Sequence, residues 1–230
     1  MFLSVLVDNS FSEASALHVE NDYQSYGGIS RGVVLEKLPK HYIRQMHFTP
    51  IYKDGGWYAR IKLVITSLTE DRWDGTVNVT LKNGETEAFL CSETCSMKEN
   101  EDELTIETDE IACKAVSAWA PESPTLYQVT ARLQDESGCV IDDLTDRVGF
   151  REVRTQGKDI LLNGKKFQIK GFCRHEDHPM YGCALPVSAI EQDLQIAKDL
   201  GANSIRTSHY PNDEIFLDLC DEQGILVWEE

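Results

Sequence analysis

The last third of the chain alternates strand and helix patterns, and this restricts the fold more than any other feature of the sequence. An apolar stretch at 167–172 is followed by a helix pattern near Ser188, a strand pattern at 204–208, a helix pattern near Asn212 and a strand pattern at 225–228. Consecutive strands joined through a helix run parallel and connect by right-handed crossovers. The sequence therefore predicts a parallel βαβαβ unit in this region.

Capping residues predict where the two helices begin and end. Ser188 and Glu191 have the spacing of a capping box, and Gly201 is expected to end the first helix. Asn212 is expected to cap the second helix, which would end at Gly224. The apolar face of the first helix is predicted to contain Ile190, Leu194, Ala197 and Leu200.

The central part of the chain contains short strand patterns and turn signals without a helix signal. Residues 58–65 and 76–81 alternate apolar and polar side chains with period two, and Asn83-Gly84 follows as a strong turn signal. A further strand pattern lies at 126–133. Short strands at this spacing over residues 41–150 predict an immunoglobulin-like β-sandwich.

The first 40 residues contain too few strand patterns to form a core. Residues 2–7 and 33–35 are expected to be strands. Because two or three strands are not stable alone, residues 1–40 are interpreted as the end of a larger β domain.

Charge and cysteine content argue against several partners and compartments. The chain contains 39 acidic and 22 basic residues, with a formal net charge of -17. Nucleic acids and anionic membranes require clustered Lys and Arg, so neither is expected as a partner. The N-terminus has no signal-peptide pattern, and the seven cysteines have no scaffold-like spacing. These features predict a cytoplasmic protein with free thiols.

Polar side chains follow each predicted parallel strand. They lie at 174–177, at 206–210 and at 229–230. In (β/α) barrels the carboxyl ends of the strands form the active face, so these groups are expected to share one polar pocket. The ordinary alternatives are an ion pair between Arg206 and Glu229 and a loop position for His209. A zinc site is a weaker alternative, because the spacing of its candidate ligands fits no usual zinc pattern. Those candidates are Cys173, His175, His178 and Cys183.

Several motifs resemble those of one known family. They are GFCRHEDHP at 171–179, NSIRTSHYP at 203–211 and DLCDEQGILVWEE at 218–230, with WAPESPTLY at 119–127 and NDYQSYGGISR at 21–31 upstream. These motifs resemble glycoside hydrolase family 2, which contains β-galactosidases, β-glucuronidases and β-mannosidases.

The resemblance implies a mixed fold and a function. Residues 1–40 would be the remnant of a jelly-roll sugar-binding domain, 41–150 an immunoglobulin-like sandwich, and 151–230 the first part of a TIM (β/α)8 barrel. The parent protein would be a retaining β-glycosidase, expected as a homo-oligomer, that hydrolyses terminal β-linked sugars. Arg174 and His178 resemble those of β-galactosidases, which are favoured. Residues 175–177 resemble those of β-glucuronidases, which remain the alternative.

The resemblance also implies roles for five residues. Asp22, His175, Arg206 and His209 match positions that contact the sugar or shape its subsite. Glu230 matches a glutamate that binds an active-site Mg²⁺ in some members. Carboxylates accept hydrogen bonds from hydroxyl groups, whereas Arg and His donate them, so these residue types suit a polyol.

The catalytic pair is expected outside this chain. Retaining glycosidases use two carboxyl groups about 5 to 5.5 Å apart. The resemblance places both on later barrel strands, beyond Glu230, so the chain alone is expected to be inactive. Glu229 and Glu230 are neighbours on one strand and should diverge. A function of another class also remains open, in which the sandwich at 41–150 is a non-catalytic module that binds sugar or protein.

Overall fold

A computed structural model describes residues 2–10, 12–13, 23–24, 26–84 and 86–230. The chain forms two compact units. One unit is Glu36–Gln168, and the other combines Met1–Leu35 with Ile169–Glu230. Each unit has a core of its own.

The unit Glu36–Gln168 is built mainly from two antiparallel sheets. Its first eight strands are β1 (His41–Lys53), β2 (Gly56–Ser67), β3 (Trp73–Asn83), β4 (Thr86–Met97), β5 (Glu103–Glu107), β6 (Ile111–Cys113), β7 (Tyr127–Asp135) and β8 (Val140–Val148). One sheet has the order β1-β2-β5, with β6 also paired to β2, and the other has the order β4-β3-β7-β8.

Alternate side chains of both sheets form one continuous core. In β2 the buried residues include Ile61 and Leu63, and in β7 they include Val129 and Leu133. Polar side chains on the same strands point to the opposite faces. Two sheets that bury their inner faces against each other form a sandwich. The period-two prediction and the predicted β-sandwich are therefore confirmed.

The turn between β1 and β2 is a two-residue hairpin loop. Asp54 and Gly55 have φ angles of 52° and 79°, and Lys53 pairs with Gly56 across the loop. Positive φ at both central residues defines a type I′ turn, which matches the twist of the flanking strands. The Asp-Gly dipeptide is a sequence signal for this turn.

A small antiparallel sheet follows within the same unit. It contains β9 (Val153–Gln156), β10 (Asp159–Leu162) and β11 (Lys165–Phe167). Phe167 pairs with Ile160 in this sheet, so the predicted single strand at 167–172 is wrong. One apolar run contributes to two different sheets, and side-chain periodicity does not indicate where pairing changes.

The second unit contains the parallel sheet. β12 (Gly171–Arg174), α1 (Val187–Asp199), β13 (Ser204–Thr207), α2 (Glu214–Gln223) and β14 (Leu226–Trp228) follow in this order. The three strands pair in parallel in the order β12-β13-β14, which confirms the predicted βαβαβ unit. No helix in the described part of the chain is long and apolar enough to span a membrane.

The first helix begins differently from the prediction. Pro186 is the N-cap of α1, without a side-chain cap hydrogen bond, and Ser188 lies inside the first turn. The capping box is therefore wrong, because Pro186, with its fixed φ and extended backbone, caps the helix two residues earlier. Ile190, Leu194 and Ala197 are buried as predicted, whereas Leu200 lies at the helix end and is exposed.

The second helix is capped by Asp213, which accepts a hydrogen bond from the backbone of Ile215. The predicted cap, Asn212, is instead buried and accepts a hydrogen bond from Arg174. Both residue types can cap a helix, and the buried guanidinium determines which of them remains available. Gly224 ends the helix in the left-handed conformation, as predicted.

The described residues before Glu36 form no strand. The stretches 2–7 and 33–35, predicted as strands, have no strand conformation, and Phe2, Leu3 and Leu6 are exposed. A strand requires a hydrogen-bonded neighbour, and the described residues offer these two stretches none. The prediction of strands is wrong here, and the jelly-roll assignment of 1–40 stays a prediction.

Candidate functional site

The candidate site lies at the carboxyl ends of β12, β13 and β14. Parallel pairing places the ends of these strands at one edge of the sheet. The structure brings together His175, Arg206, His209 and Glu230 at this edge, as their positions after the strands predicted. Asp22, the fifth predicted residue, lies outside the described residues. The sugar-binding roles of all these residues stay predictions.

A forked ion pair joins the ends of β13 and β14. Arg206 donates from Nε to Glu230 Oε1 at 2.9 Å and from Nη2 to Glu230 Oε2 at 2.6 Å. Such two-point pairing fixes the orientation of both groups. The alternative pairing with Glu229 is wrong. Neighbouring residues of an extended segment point in opposite directions, and it is Glu230 that faces Arg206.

The guanidinium of Arg206 also controls the charge of its neighbours. It lowers the pKa of Glu230 through hydrogen bonds and lowers the pKa of the Cys173 thiol, whose Sγ lies 3.3 Å from Nη1. The pKa of Arg206 itself is raised by Glu230. Because the pKa of Glu230 is depressed, the ion pair is complete at neutral pH and is lost only as the pH falls through that lowered value. Exposed ion pairs of this kind contribute little to the free energy of unfolding. The main effect of this pair is to fix the orientation of Arg206 and Glu230.

Four aromatic rings cluster beside this ion pair. The ring centroid of Tyr23 lies 5.6 Å from that of His175, 6.1 Å from that of His209 and 5.4 Å from that of Tyr210. The two histidine rings meet edge to face at 5.6 Å. Tyr23 was not among the predicted site residues, and Tyr210 was expected in the polar pocket without an assigned role. The position of Tyr23 beside Asp22 was the signal that could have identified it.

The buried carboxylate of Glu176 connects several segments that surround the site. Glu176 Oε1 accepts from the backbone N–H of Asp213 at 2.8 Å, and Oε2 accepts from Arg31 Nη2 at 3.2 Å. The backbone N–H of Glu176 donates to the Tyr210 hydroxyl at 2.8 Å. Arg31 also donates to the carbonyl of Pro211 at 2.6 Å. Glu176 therefore holds the loop after β13 in place rather than presenting a free carboxylate.

Arg174 points away from the predicted pocket. Its side chain is buried, donates to Asp193 and Asn212 at 3.0 Å each, and lies over the ring of Phe216 at 4.6 Å. A buried guanidinium requires such partners because desolvation without them is costly. Of the polar residues at the end of β12, Arg174 thus contacts α1 and the start of α2, whereas His175 belongs to the aromatic cluster.

A cleft of about 310 Å³ opens at this edge of the sheet. It is lined by Tyr23, Gln24, Tyr26, Ser30, Arg31, His175, Glu176, Asp177, Cys183, Tyr210 and Pro211. Tyr26 closes one side by donating from its hydroxyl to Asp177 Oδ1 at 2.6 Å. Hydrogen-bonding groups combined with aromatic faces suit a molecule with hydroxyl groups and an apolar face, such as a pyranose.

The described residues do not fit either metal site considered from the sequence. Both oxygens of Glu230, the predicted Mg²⁺ ligand, are bonded to Arg206. For the zinc alternative, Cys173 accepts from Arg206 and His178 stacks on Tyr181. Among residues 2–10, 12–13, 23–24, 26–84 and 86–230, no three His, Cys, Asp or Glu side chains converge to hold a metal ion.

Comparison with protein families covers both units of the chain. The model of glycosyl hydrolases family 2 matches residues 41–151, and the model of the TIM barrel domain of glycosyl hydrolases family 2 matches residues 153–230. A β-sandwich followed by parallel barrel strands with polar ends agrees with both matches. The fold and the two matches thus define a protein that contains glycosyl hydrolase domains. The chain belongs to glycoside hydrolase family 2.

Individual relatives differ in the sugar that their names state. The β-galactosidases of Kluyveromyces lactis and Thermoanaerobacter pseudethanolicus are 30% and 34% identical over 99% and 91% of this chain. The crystal structure of a β-galacturonidase from Eisenbergiella tayi bound to galacturonate is 57% identical over 97% of this chain, with a TM-score of 0.89. The chain spans 24% and 28% of the two curated relatives and 39% of the Eisenbergiella tayi chain.

The contact between Cys173 and Arg206 predicts selective thiol chemistry. Iodoacetamide at pH 7.5 should modify Cys173 several-fold faster than Cys139, which is also exposed. The reason is that Arg206 lowers the pKa of Cys173 and so raises its thiolate fraction. Burial raises the pKa of Cys95 to about 11 and that of Cys220 to about 12, so these thiols should react last.

The measurement is a timed alkylation of the 230-residue chain, read peptide by peptide by mass spectrometry. Cys139 is the matched exposed control. The variant Arg206→Met should slow Cys173 toward the rate of Cys139, because it removes the largest cause of the lowered pKa of Cys173. Equal rates for the two thiols in the unmodified chain would contradict the contact.

Proposed function

We propose that this chain is part of a retaining β-glycosidase that removes a terminal β-linked galacturonic acid residue. The observation that carries the proposal is the 57% identity with the Eisenbergiella tayi β-galacturonidase over 97% of the chain. Identity with the curated β-galactosidases is 30% and 34%. Those relatives keep β-galactoside hydrolysis, which the motifs at Arg174 and His178 favoured, as the second candidate. β-Glucuronide hydrolysis remains the third.

In this proposal the chain supplies one wall of the sugar subsite. His175, His209 and Tyr23 would contact the sugar, and Asp22 is proposed to contribute from the neighbouring segment. Residues 1–40, 41–150 and 151–230 would be the end of the jelly-roll, the immunoglobulin-like sandwich and the start of the barrel. The cytoplasmic location and the homo-oligomeric state of the parent stay predictions.

The carboxylates of the site support a binding role rather than a catalytic one. Glu230 is held by Arg206, and Glu176 is buried with hydrogen bonds to both oxygens. A retaining mechanism requires a free nucleophilic carboxylate and an acid/base carboxyl about 5 to 5.5 Å from it. We therefore place both catalytic groups on barrel strands of the parent protein that are not part of this chain.

The sugar carboxylate would also require a cation from elsewhere in the parent. Arg31, which lines the cleft, is bonded to Glu176 and to the carbonyl of Pro211, and Arg206 is bonded to Glu230. Their charge is thus largely neutralised within the described residues. A site built for a uronate should reject a neutral sugar strongly, because its cation would remain buried without a partner.

The experiment compares three nitrophenyl glycosides with the full-length enzyme that contains this chain. We expect kcat/KM for the β-galacturonide to exceed that for the β-galactoside and the β-glucuronide by at least about 100-fold. The 230-residue chain alone should show no turnover above background. A mock purification from the same expression host without the enzyme gene controls for contaminating glycosidases.

Each alternative gives a different result. Preference for the β-galactoside would select the second candidate, and preference for the β-glucuronide the third. If none of the three substrates is hydrolysed by the full-length enzyme, the proposed glycosidase function is wrong. Turnover by the 230-residue chain would contradict the placement of the catalytic carboxylates outside it. Binding of oligosaccharides by the sandwich alone would favour a non-catalytic binding module.

A further inference from the structure

Arg206 is hydrogen-bonded through all three of its nitrogen atoms. Nε and Nη2 donate to Glu230, Nη1 donates to Cys173 Sγ at 3.3 Å, and Nη2 lies 3.1 Å from His209 Nδ1. A guanidinium has five N–H donors and no acceptor. Each atom that contacts Arg206 must therefore act as an acceptor, and only one N–H, on Nη1, remains for any other ligand.

This constraint determines the tautomer of His209. Because Nδ1 accepts from Arg206, it carries a lone pair, and the proton of the neutral imidazole must be on Nε2. Glu230 Oε2 lies 3.4 Å from the same Nδ1 and would favour a proton there. The contact with Arg206 is shorter, and Glu230 is already satisfied by the guanidinium. The geometry therefore favours the tautomer with Nε2–H.

We propose that Arg206 and Glu230 are positioning residues that hold His209 with its proton on Nε2, so that the ring presents an N–H donor to a hydroxyl oxygen of the sugar. Glu230 orients Arg206 through the forked ion pair, and Arg206 sets the protonated nitrogen of His209. The assignment of a sugar hydroxyl as the acceptor rests on the proposed function. In this proposal Glu230 acts in the ion pair with Arg206 and not as a metal ligand.

The rest of the surroundings is compatible with this arrangement. His209 is 40% exposed in its side chain, so its outer nitrogen can reach a ligand. The ring of His209 contacts the rings of Tyr23 and His175, with centroid distances of 6.1 and 5.6 Å. A lysine in place of Arg206 could not reproduce the geometry, because an ammonium is a point donor without a planar fork.

The first test reads the tautomer directly and does not depend on activity. The 230-residue chain is labelled with ¹⁵N at histidine, and the two ring nitrogens of each neutral imidazole are distinguished by their NMR shifts and couplings at pH 8. The spectrum of His209→Asn assigns the signals of His209 by their loss. We expect the Nε2–H tautomer in the unmodified chain.

Two variants are expected to change the tautomer of His209 in different ways. In Arg206→Met the donor to Nδ1 is removed while the Glu230 carboxylate remains, so the proton should move to Nδ1. In the double variant Arg206→Met/Glu230→Gln this attraction is removed as well, and a mixture of tautomers is expected. The matched control is Glu103→Gln, which alters an exposed ion pair with Arg44 at 2.7 Å and should leave the spectrum of His209 unchanged.

The second test uses the full-length enzyme in case a variant of the isolated chain fails to fold. A glutamine amide nitrogen reaches the position of Nε2, whereas an asparagine amide nitrogen reaches that of Nδ1. We therefore expect kcat/KM of His209→Gln to be at least ten times higher than that of His209→Asn.

A double-mutant cycle tests the role of Glu230. Glu230→Gln should lower kcat/KM about tenfold in the unmodified background and less than twofold in His209→Ala, because Glu230 acts through His209.

An Nδ1–H tautomer in the unmodified chain, or an unchanged tautomer in Arg206→Met, would overturn the proposal. Equal activity of His209→Gln and His209→Asn would overturn it as well, as would equal effects of Glu230→Gln in both backgrounds. Failure of the proposed function has a different signature. The unmodified full-length enzyme would then hydrolyse none of the three glycosides, while the NMR result would still decide the role of Arg206.

Discussion

Phe150→Ala should lower the free energy of unfolding of the unit Glu36–Gln168 by about 4 kcal/mol. Phe150 is fully buried, and the rings of Phe48, Trp57 and Tyr127 surround it edge to face with centroid distances of 5.5, 5.5 and 5.4 Å. Truncation removes the buried ring and leaves a cavity that these three neighbours cannot fill without leaving their own positions. Both effects act in the same direction.

The measurement is urea unfolding followed by tryptophan fluorescence. Trp57, Trp73 and Trp119 belong to this unit and report on its unfolding. With a denaturant dependence of about 2 kcal/mol per M, the midpoint should fall by about 2 M. Phe150→Leu keeps most of the apolar volume and should cost less than about 1.5 kcal/mol. A loss below 1 kcal/mol for the alanine variant would show that Phe150 does not fill the core as described.

Gly171→Ala should destabilise the parallel sheet by about 3 kcal/mol, at the upper end of the cost of overpacking. A Cβ added at Gly171 would overlap the backbone carbonyl of Ser204 in the paired strand β13. A flexible side chain can rotate away from such a clash, but a paired backbone cannot. The strands must therefore separate, and the residues at their carboxyl ends, including Arg206, would move with them.

Hydrogen–deuterium exchange by mass spectrometry checks this result locally. Peptides covering 202–208 should exchange about 100-fold faster in Gly171→Ala, whereas peptides from β2 and β3 should not change. Gly32→Ala is the matched control in the same unit, because an added Cβ meets no atom within 4 Å there. Identical exchange in the two variants would contradict the close approach of β12 and β13.

Local patterns were sufficient to predict most of the secondary structure near the site. The alternation in 58–65 and 76–81 predicted strands because a half-buried sheet imposes period two on the chain itself. The two helix patterns with short loops predicted parallel strands, since a right-handed crossover is the connection available to them. The positions of Arg206 and His209 at a strand end followed from the same pattern.

The predicted secondary structure was wrong where the local sequence suits two different structures equally well. Asn212 and Asp213 can both cap a helix, and the burial of Asn212 against Arg174 determines that Asp213 does so. The apolar run at 167–172 suits one strand or parts of two, and the pairing partners separate it into β11 and β12. In both cases the deciding contact comes from another segment of the chain.

The sequence by itself determined the β-sandwich, the parallel βαβαβ unit and the collection of polar residues at three strand ends. Each depends on periodicity and connection length, which nearby residues encode. Only the tertiary structure decided which partners those polar residues contact. Glu176 is held by Arg31, which is 145 residues away, and Arg206 is oriented by Glu230, which is 24 residues away. Hydrogen-bond partners depend on distance in space, and many pairings are compatible with one local pattern, so the contacts of His209 and its neighbours follow from the folded chain alone.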